Sequence, residues 1–417
     1  MTVLISGAGI GGLTLGLSLH QRGIPFRIFE AVRELRPMGV GINLQPHAVR
    51  ELFELGLKET LDEIGLRTEE LAYFSAQGTQ IWSEPRGELA GYQWPQYSLH
   101  RGKFQMALFE EVVRRCGAET VSTGAALGHW DDIQDGIEIS LVDRGSGDER
   151  GKARGDVLIV AEGINSTARA RLYPDEGPAQ WGGTMMWRGV TKGPRFLTGR
   201  SVTMTGRRDL KFAAYPIADT QDGGSVINWI ADMAMPKDYI WRQQDWNREG
   251  DRADFAKHFE DWSFDWLDVP AVIENADGIW EFPMVDRDPL DQWTFGRVTL
   301  LGDAAHAMYP IGSNGASQCI LDARHLTAAF GNHGLTPDAL HAYEAERRPK
   351  VNALVLANRG DGPDKILDIA AARAPDGFAH INDIMTQAEL DGMAKDYKAI
   401  AGMDVETLNA RPSILES

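Results

Sequence analysis

Residues 2–30 read TVLISGAGIGGLTLGLSLHQRGIPFRIFE, and their pattern indicates the fold class more directly than any other stretch. A short apolar run leads into glycines spaced G-x-G-x-x-G. A small-residue apolar segment follows, and then a second apolar run that ends in Glu30. This order predicts strand, glycine turn, helix and strand, which together form one βαβ unit. Such a unit belongs to a parallel sheet whose faces are covered by helices.

The glycine spacing indicates a dinucleotide site. Gly7 permits the tight turn, Gly9 lets the backbone approach a pyrophosphate, and Gly12 lets the helix pack close to the sheet. The helix start, which includes Gly11, presents free N–H groups and a positive dipole to phosphates. Glu30, 18 residues after Gly12, is placed to accept hydrogen bonds from a ribose. A glycine-rich turn without a ligand is the competing interpretation.

The composition restricts the class of protein. The 417 residues include 42 Lys and Arg against 60 Asp and Glu, for a formal net charge of −18 at pH 7. This balance argues against a nucleic-acid-binding protein, which needs a positive field. Two cysteines exclude a disulfide scaffold and a Cys-rich zinc module, and no cluster of ligand residues indicates a metal site. No apolar run reaches the about 20 residues that span a bilayer, so we expect no membrane partner. The low number of cysteines favours a cytoplasmic protein.

Two later segments repeat the pattern of an apolar strand that ends in a short polar motif. Residues 157–163 read VLIVAEG, and residues 298–303 read VTLLGD. The second segment leads into a loop that contains Pro310, Gly312 and Gly315. As isolated patterns, both segments could be buried strands with ordinary turns. Their order after the N-terminal glycine motif disfavours that interpretation.

Together, these three stretches resemble the single-component flavin-dependent aromatic hydroxylases, the para-hydroxybenzoate hydroxylase family, from residue 1 to about residue 360. The resemblance implies an α/β fold: a Rossmann-like FAD-binding domain, a second, mainly antiparallel β-sheet substrate domain, and a helical C-terminal tail. It implies FAD as cofactor, NADH or NADPH as transient co-substrate, and O₂ as the oxidant. The substrate would be a small aromatic or heteroaromatic compound, and the protein a monomer or a homodimer.

A closer similarity is to the subfamily of 5-methylphenazine-1-carboxylate 1-monooxygenases. It implies a carboxylated ring substrate, hydroxylated with or without loss of CO₂. The segments that carry it are 36–46 (RPMGVGINLQP), 81–87 (IWSEPRG), 97–102 (YSLHRG), 186–190 (MWRGV) and 283–290 (PMVDRDPL). One departure from the wider family is Glu162, where the family usually has Asp before the glycine of its second motif. The other two motifs are intact, which implies that FAD binding survives this exchange.

The resemblance also divides the chain. The FAD-binding domain would comprise residues 1–72, 98–180 and 285–360, and the substrate domain residues 73–97 and 181–284. Residues 361–417 would form a helical extension that either covers the active site or packs in a dimer.

The resemblance further implies the residues that hold FAD. An ion pair on the surface is the alternative for each arginine of the set. The set is Gly7, Gly9, Gly11 and Gly12 at the pyrophosphate, Glu30 at the ribose, Arg36 near the adenosine, Arg101 at the pyrophosphate, Leu127 at the adenine, Asp303 at the ribityl chain, and Gly312, Asn314, Gly315 and Ala316 against the isoalloxazine.

Catalytic and substrate residues are expected beside the flavin. Pro310 would form the wall at its reacting edge and, lacking an N–H, would leave no donor there. Arg188, next to Trp187, would clamp a carboxylate, although an ion pair with an acid is the alternative. Tyr215 and Trp229 complete the expected substrate pocket, within strands that are rich in aromatic residues. For each aromatic residue, core packing is the competing interpretation.

Two other functions compete with a monooxygenase. One is a flavin-dependent NAD(P)H oxidase or reductase on the same fold, without oxygen insertion. The other is a nucleotide-binding regulatory or structural protein. The Gly302-Asp303 motif and the 312–315 turn disfavour the last, since a bare nucleotide-binding module has no use for them.

Overall fold

The structure is a computed structural model that describes residues 1–241, 248–360 and 362–416. Its strands, numbered along the chain, are β1 Val3–Ser6, β2 Phe26–Glu30, β3 Gly41–Leu44, β4 Gly65–Thr68, β5 Glu70–Phe74, β6 Gln80–Pro85, β7 Gln96–His100, β8 Val121–Thr123, β9 Ala126–Ile133, β10 Gly136–Val142, β11 Glu149–Gly155, β12 Val157–Val160, β13 Gln180–Gly193, β14 Ser201–Arg207, β15 Leu210–Asp219, β16 Ser225–Ala234, β17 Ala276–Asp286, β18 Thr294–Phe295 and β19 Val298–Leu300. Its α-helices are α1 Ile10–Gln21, α2 Pro46–Glu54, α3 Lys58–Ile64, α4 Arg101–Cys116, α5 Thr167–Leu172, α6 Arg252–Phe255, α7 Val269–Glu274, α8 Asp303–His306, α9 Gly315–His333, α10 Pro337–Arg359, α11 Lys365–Arg373, α12 Gln387–Ile400 and α13 Val405–Ala410.

The first sheet places the three sequence motifs at one edge. Its strand order is β18-β19-β12-β1-β2-β8, and β1 pairs in parallel with both β2 and β12. Strand β19 continues the parallel set beside β12. All residues of β1, β12 and β19 are buried, as expected for strands covered on both faces. The glycine motif, Glu162-Gly163 and Gly302-Asp303 therefore follow neighbouring strands at their carboxyl ends, and the predicted α/β class is confirmed.

A second sheet has the strand order β17-β13-β16-β15-β14-β5-β6. Its pairs are antiparallel except for β14 with β5, so the predicted mainly antiparallel sheet is confirmed. Strand β5 begins at Glu70, so the predicted boundary after residue 72 falls within a strand. The division into domains stays a prediction. Residues 242–247 of the predicted substrate domain, and Asp361 and Ser417 of the predicted extension, lie outside the described residues.

The predicted helical extension is present as α11, α12 and α13. Leu367 and Leu390 of this tail are buried in one apolar cluster with Tyr73 of β5 and Val202 of β14. The tail therefore packs on the second sheet. Among the described residues, no helix combines the length and apolar character that a membrane span requires.

Candidate active site

The loop between β1 and α1 is tight on one side and open on the other. Gly7 has a φ of +108°, and a Cβ there would overlap the carbonyl oxygen of Ala161. A Cβ on Gly12 would overlap the carbonyl oxygen of Gly7. By contrast, a Cβ on Gly9 would meet no atom within 4 Å. The loop is thus fixed against the sheet and leaves Gly9 facing open space, as a pyrophosphate-binding turn requires.

The start of α1 is free to receive an anion. Gly9 is the N-cap and provides no side-chain cap, and the first bond of the helix runs from the Leu13 N–H to the Gly9 oxygen. The preceding N–H groups are therefore available to phosphate oxygens. Gln105 of α4 steadies the loop, because its Nε2 donates to the Ala8 oxygen at 2.9 Å. Sequence reasoning missed Gln105, since nothing around it signals a contact 97 residues away.

Glu30 closes the other side of the glycine loop. Its Oε2 accepts the Ala8 N–H at 2.7 Å, and its Oε1 accepts the Val32 N–H at 2.9 Å. The Glu30 carbonyl oxygen accepts the Ala125 N–H at 2.8 Å, and Leu127 follows two residues later with 5% of its surface exposed. The structure therefore brings Glu30 and Leu127, both predicted at the adenosine end, to the same edge as the glycine turn.

The longer side chain of Glu162, compared with Asp, allows it to contact two elements of the fold. Its Oε1 accepts the Ser6 hydroxyl at 2.6 Å, at the end of β1. Its Oε2 accepts the Ser166 hydroxyl at 2.8 Å and the Ala168 N–H at 3.2 Å, at the start of α5. The side chain spans the gap between these two elements, and a shorter Asp would lose one set of contacts.

A buried network braces the Gly302-Asp303 turn. Asp322 Oδ2 accepts the Gly302 N–H at 3.1 Å and contacts His306 Nε2 at 2.5 Å, while Asp322 Oδ1 accepts from Arg347 Nε at 2.8 Å. Burial by itself would raise the pKa of Asp322, but His306 and Arg347 outweigh it and lower that pKa to about 2. Asp322 is therefore ionised. Asp303, which follows the braced turn, is exposed.

Arg101 lies at the same open region. It is the first residue of α4 and is exposed, and its N–H donates to the Val40 oxygen at 2.9 Å. Gly39 lies next to the Arg101 side chain, since a Cβ built on Gly39 would be 3.8 Å from Arg101 Cδ. Burial raises the pKa of the Cys319 thiol; the Asp303 carboxylate also raises it, and the Arg101 guanidinium lowers it. Both charges thus act on this one thiol in α9.

The 310–316 loop completes the region. Gly312 has a φ of +70°, and a Cβ there would overlap the Tyr397 hydroxyl of α12. Asn314 is fully buried, and its Nδ2 donates to the Gly312 oxygen at 3.0 Å and to the Tyr397 hydroxyl at 2.9 Å. A Cβ on Gly315 would meet no atom within 4 Å, so the start of α9 is open toward a ligand. Ala316 follows in its first turn.

A family model described as a FAD binding domain matches residues 1–358. The phenazine 1,6-dicarboxylic acid hydroxylase of Lysobacter antibioticus is 44% identical to the chain over 361 residues, which cover 86% of this chain and 89% of that protein. The chain belongs to the family of FAD-dependent aromatic hydroxylases. The aurachin C monooxygenase/isomerase of Stigmatella aurantiaca is 31% identical to the chain over 361 residues, which cover 86% of this chain and 88% of that protein.

Solved structures share the fold of the hydroxylase. Klebsiella pneumoniae HpxO, complexed with FAD and uric acid, superposes with a TM-score of 0.74 at 23% identity, covering 99% of this chain and 97% of that one. A salicylate hydroxylase substrate complex gives a TM-score of 0.73 at 21% identity, covering 99% and 98%. The sequence relatives are hydroxylases and monooxygenases. The enzyme is therefore a flavin-dependent monooxygenase with FAD as cofactor and NAD(P)H as electron donor, and neither competing function stands.

Arg188 holds a loop in the hydroxylase. Its Nη2 donates to the Gly41 oxygen at 3.0 Å, and Asn228 Oδ1 accepts the Gly41 N–H at 2.6 Å. Burial lowers the pKa of Arg188, and a hydrogen bond with Tyr215 opposes this effect. Arg188 thus secures, from the second sheet, the start of β3, which follows Val40, the residue whose oxygen accepts the Arg101 N–H.

Trp187 and Trp229 lie elsewhere in the enzyme. Both belong to an apolar cluster behind the second sheet, with 2% and 0% of their surfaces exposed. Trp187 stacks on Phe255 with ring centroids 5.0 Å apart, and Trp229 Nε1 donates to the Thr191 hydroxyl at 2.9 Å. Both residues therefore have the core-packing role that the sequence left as the alternative.

Two predicted residues are exposed. Pro310 is exposed between Tyr309 and Ile311, which pack in an apolar cluster with Phe282 of β17. Arg36 is exposed and pairs with Glu34 through Nη2 and Oε2 at 2.7 Å.

A small cavity lies between the 310–316 loop, the second sheet and the tail. Gly312 and Ser313 line it on the loop side, and Tyr73, Trp82, Arg86 and Lys398 are among its other walls. Its free space of about 40 Å³ holds only a few water molecules. A ring compound therefore enters only if the surrounding elements move.

We expect Tyr397→Phe to loosen the 310–316 loop. The Tyr397 hydroxyl accepts from Asn314 Nδ2 and donates to Asn358 Oδ1 at 3.0 Å, so its loss leaves a buried amide oxygen unpaired, at a cost of about 1–3 kcal/mol. The measurement is the ratio of H₂O₂ formed to NAD(P)H consumed, which should rise as oxygen transfer becomes uncoupled. Tyr92→Phe is the control, because it removes a different tail anchor, the bond to the Met403 oxygen, and should lower stability without changing that ratio. An unchanged ratio in Tyr397→Phe would contradict the role.

Proposed function

We propose that this enzyme hydroxylates a planar, carboxylated heteroaromatic compound of the phenazine class, with or without loss of CO₂. The observation that carries the proposal is the cavity beside the 310–316 loop, where the aromatic residues Tyr73 and Trp82 stand next to the cations Arg86 and Lys398. Aromatic walls suit a planar ring, and partly buried cations suit a carboxylate. The 44% identical relative, named for a phenazine dicarboxylic acid, supports the same class.

We assign FAD to the open region that the three motifs surround. Gly9, the start of α1 and Arg101 would hold the pyrophosphate, with Gly7, Gly11 and Gly12 shaping the turn. Glu30 and the Leu127 backbone would hold the adenosine, and Asp303 the ribityl hydroxyls. Arg36 would contact the adenosine only if its ion pair with Glu34 were broken. When bound, FAD supplies reduction by NAD(P)H and activation of O₂.

The chain's own residues would prepare the site for this chemistry. The start of α9, at Asn314, Gly315 and Ala316, directs N–H groups and a positive dipole at the open space, which favours an anionic ring edge. Pro310 offers no N–H donor at the wall. The tail would cover one side of the cavity, and the exclusion of water by a bound ligand would strengthen these electrostatic effects.

The test is turnover of the reconstituted holoenzyme under ¹⁸O₂. With NADH or NADPH, phenazine-1-carboxylate or phenazine-1,6-dicarboxylate should give a product that carries one labelled oxygen atom, and unsubstituted phenazine should react more slowly. NAD(P)H oxidation with equivalent H₂O₂ and no labelled ring product from any of the three would refute the proposal. Light scattering on the same preparation tests the prediction of a monomer or a homodimer.

A further inference from the structure

We propose that Arg86, together with Lys398 of the C-terminal tail, binds the carboxylate of the ring substrate, and that the tail thereby sets the specificity. This inference deepens the proposed function and rests on its claim that the substrate is a ring acid. It assigns carboxylate recognition to Arg86, which lines the cavity, in place of Arg188, which does not line it. The Arg188 Nη2 donates to the Gly41 oxygen, and its Nε is, like that of Arg86, buried without a partner among the described residues.

Arg86 has a donor that the protein leaves unused. Its side chain is 13% exposed, and its Nη2 lies 3.1 Å from Glu84 Oε1. Its Nε is buried and has no hydrogen-bond partner among the described residues. A buried guanidinium N–H without an acceptor is costly. An oxygen of a bound carboxylate would satisfy it.

The charges around Arg86 leave room for one anion. Glu84 lies between two cations, since its Oε1 pairs with Arg86 and its Oε2 lies 2.5 Å from Lys398 Nζ. Two cations and one carboxylate give this group a net charge of +1, which a single substrate carboxylate would neutralise. Asp364, the acid on another wall of the cavity, shares Lys211 with the buried Asp232, at 2.5 and 3.2 Å. This second group carries a net charge of −1, so a substrate carboxylate is expected at Arg86 and Lys398 and not at Lys211.

The walls next to this group suit a ring. Tyr73 and Trp82 have ring centroids 6.1 Å apart. Gln45 and Gln96, which also line the cavity, each have a buried amide oxygen with no partner among the described residues. An amide oxygen of this kind can accept a hydrogen bond from a hydroxyl or N–H group of a bound ligand.

The tail contributes the part of the wall that the family match does not include. The match ends at residue 358, whereas Leu390, Met393, Tyr397 and Lys398 all line the cavity. The glycine turns that would hold FAD come from the matched part of the chain. We therefore place the choice of substrate in the tail and in Arg86, which faces it.

The experiment compares ligands that differ only in charge. Kd for phenazine-1-carboxylate and for phenazine-1-carboxamide is measured from the flavin absorbance of the holoenzyme. Arg86→Gln should weaken carboxylate binding about 10- to 100-fold, the effect of losing a charge-assisted hydrogen bond, and change carboxamide binding by less than about 3-fold. Lys398→Met should act in the same direction but less strongly. Lys395→Met, an exposed lysine on the same helix, is the matched control and should change neither ligand.

Equal weakening of both ligands by Arg86→Gln would overturn the inference, as would unchanged carboxylate binding. If Arg86→Gln does not fold, Arg86→Lys keeps the charge and the Glu84 ion pair and should retain a preference for the carboxylate. A failure of the proposed function can be distinguished from a failure of this inference, because the proposed function is tested by labelled oxygen in the product and the inference by ligand binding. In that case 1-naphthoate and 1-naphthamide replace the phenazines, and the same loss of charge preference in Arg86→Gln supports the inference, while its absence overturns it.

Discussion

Gly9→Ala is expected to fold like the wild-type chain and to bind FAD about 10- to 100-fold more weakly, because a methyl group there keeps phosphate oxygens from the backbone N–H groups. The structure separates the two effects. Gly9 has a φ of −75°, which any residue adopts, and a Cβ there would touch no atom within 4 Å. The added methyl therefore obstructs only a ligand. FAD fluorescence quenching measures the affinity, and circular dichroism of the FAD-free protein measures folding.

Gly331→Ala is the matched control for this prediction. Gly331 lies in α9, and a Cβ there would also meet no atom within 4 Å. Its FAD affinity should equal that of the wild type, and a helical Ala should stabilise the chain by up to about 1 kcal/mol. Gly12→Ala should instead fail to fold, because its Cβ would overlap the Gly7 oxygen. Unchanged FAD affinity in Gly9→Ala would show that no pyrophosphate approaches this residue.

The parallel sheet could be predicted because its signals are local. Strands buried on both faces read as unbroken apolar runs, and β1, β12 and β19 each do so before a glycine motif. The pairing of β1 with β12 and of β12 with β19 follows from the fold class that those runs imply. The open space beside Gly9 is where the glycine spacing predicted it, and the open space beside Gly315 agrees with what the family resemblance implied.

The substrate residues were harder to predict, because strand alternation separates neighbours. Successive side chains on a strand point to opposite faces, so Trp187 and Arg188 cannot both line one pocket. In the register of β13 with β16, Gly189 lies opposite Trp229, and Trp187 lies two residues along on the same face. Both tryptophans therefore face the rear core, and Arg188 faces Gly41. A known strand register would have shown this, but sequence alone does not supply one.

The contacts of the tail could not be predicted at all. Tyr397 meets Asn314 across 83 residues, and Lys398 meets Glu84 across 314 residues. Such contacts depend on how three layers of the fold come together, and no periodicity within α12 encodes them. The sequence left open whether the tail covers the site or forms an interface. The structure places it on the cavity.

Asp322→Ala is expected to lower the free energy of unfolding by about 3–5 kcal/mol, because it leaves the buried cation of Arg347 without its carboxylate. It also frees the Gly302 N–H, which Asp322 Oδ2 accepts at 3.1 Å, and so loosens the turn that presents Asp303. FAD affinity should fall with stability. The midpoint of urea unfolding of the FAD-free protein is the measurement. Asp396→Ala, an exposed acid on α12, is the control and should change stability by less than about 0.5 kcal/mol.

The pH dependence identifies the mechanism of this loss. The pKa of Asp322 is lowered from 3.8 to about 2, so its ionised form stabilises the fold above pH 3.8. This contribution is lost as the pH falls through about 2. The stability difference between wild type and Asp322→Ala should therefore be constant from neutral pH down to about pH 4 and shrink below it. A difference that persists undiminished toward pH 2 would mean that Asp322 stabilises the turn by packing, without its charge, and that the Gly302-Asp303 motif is held by other contacts.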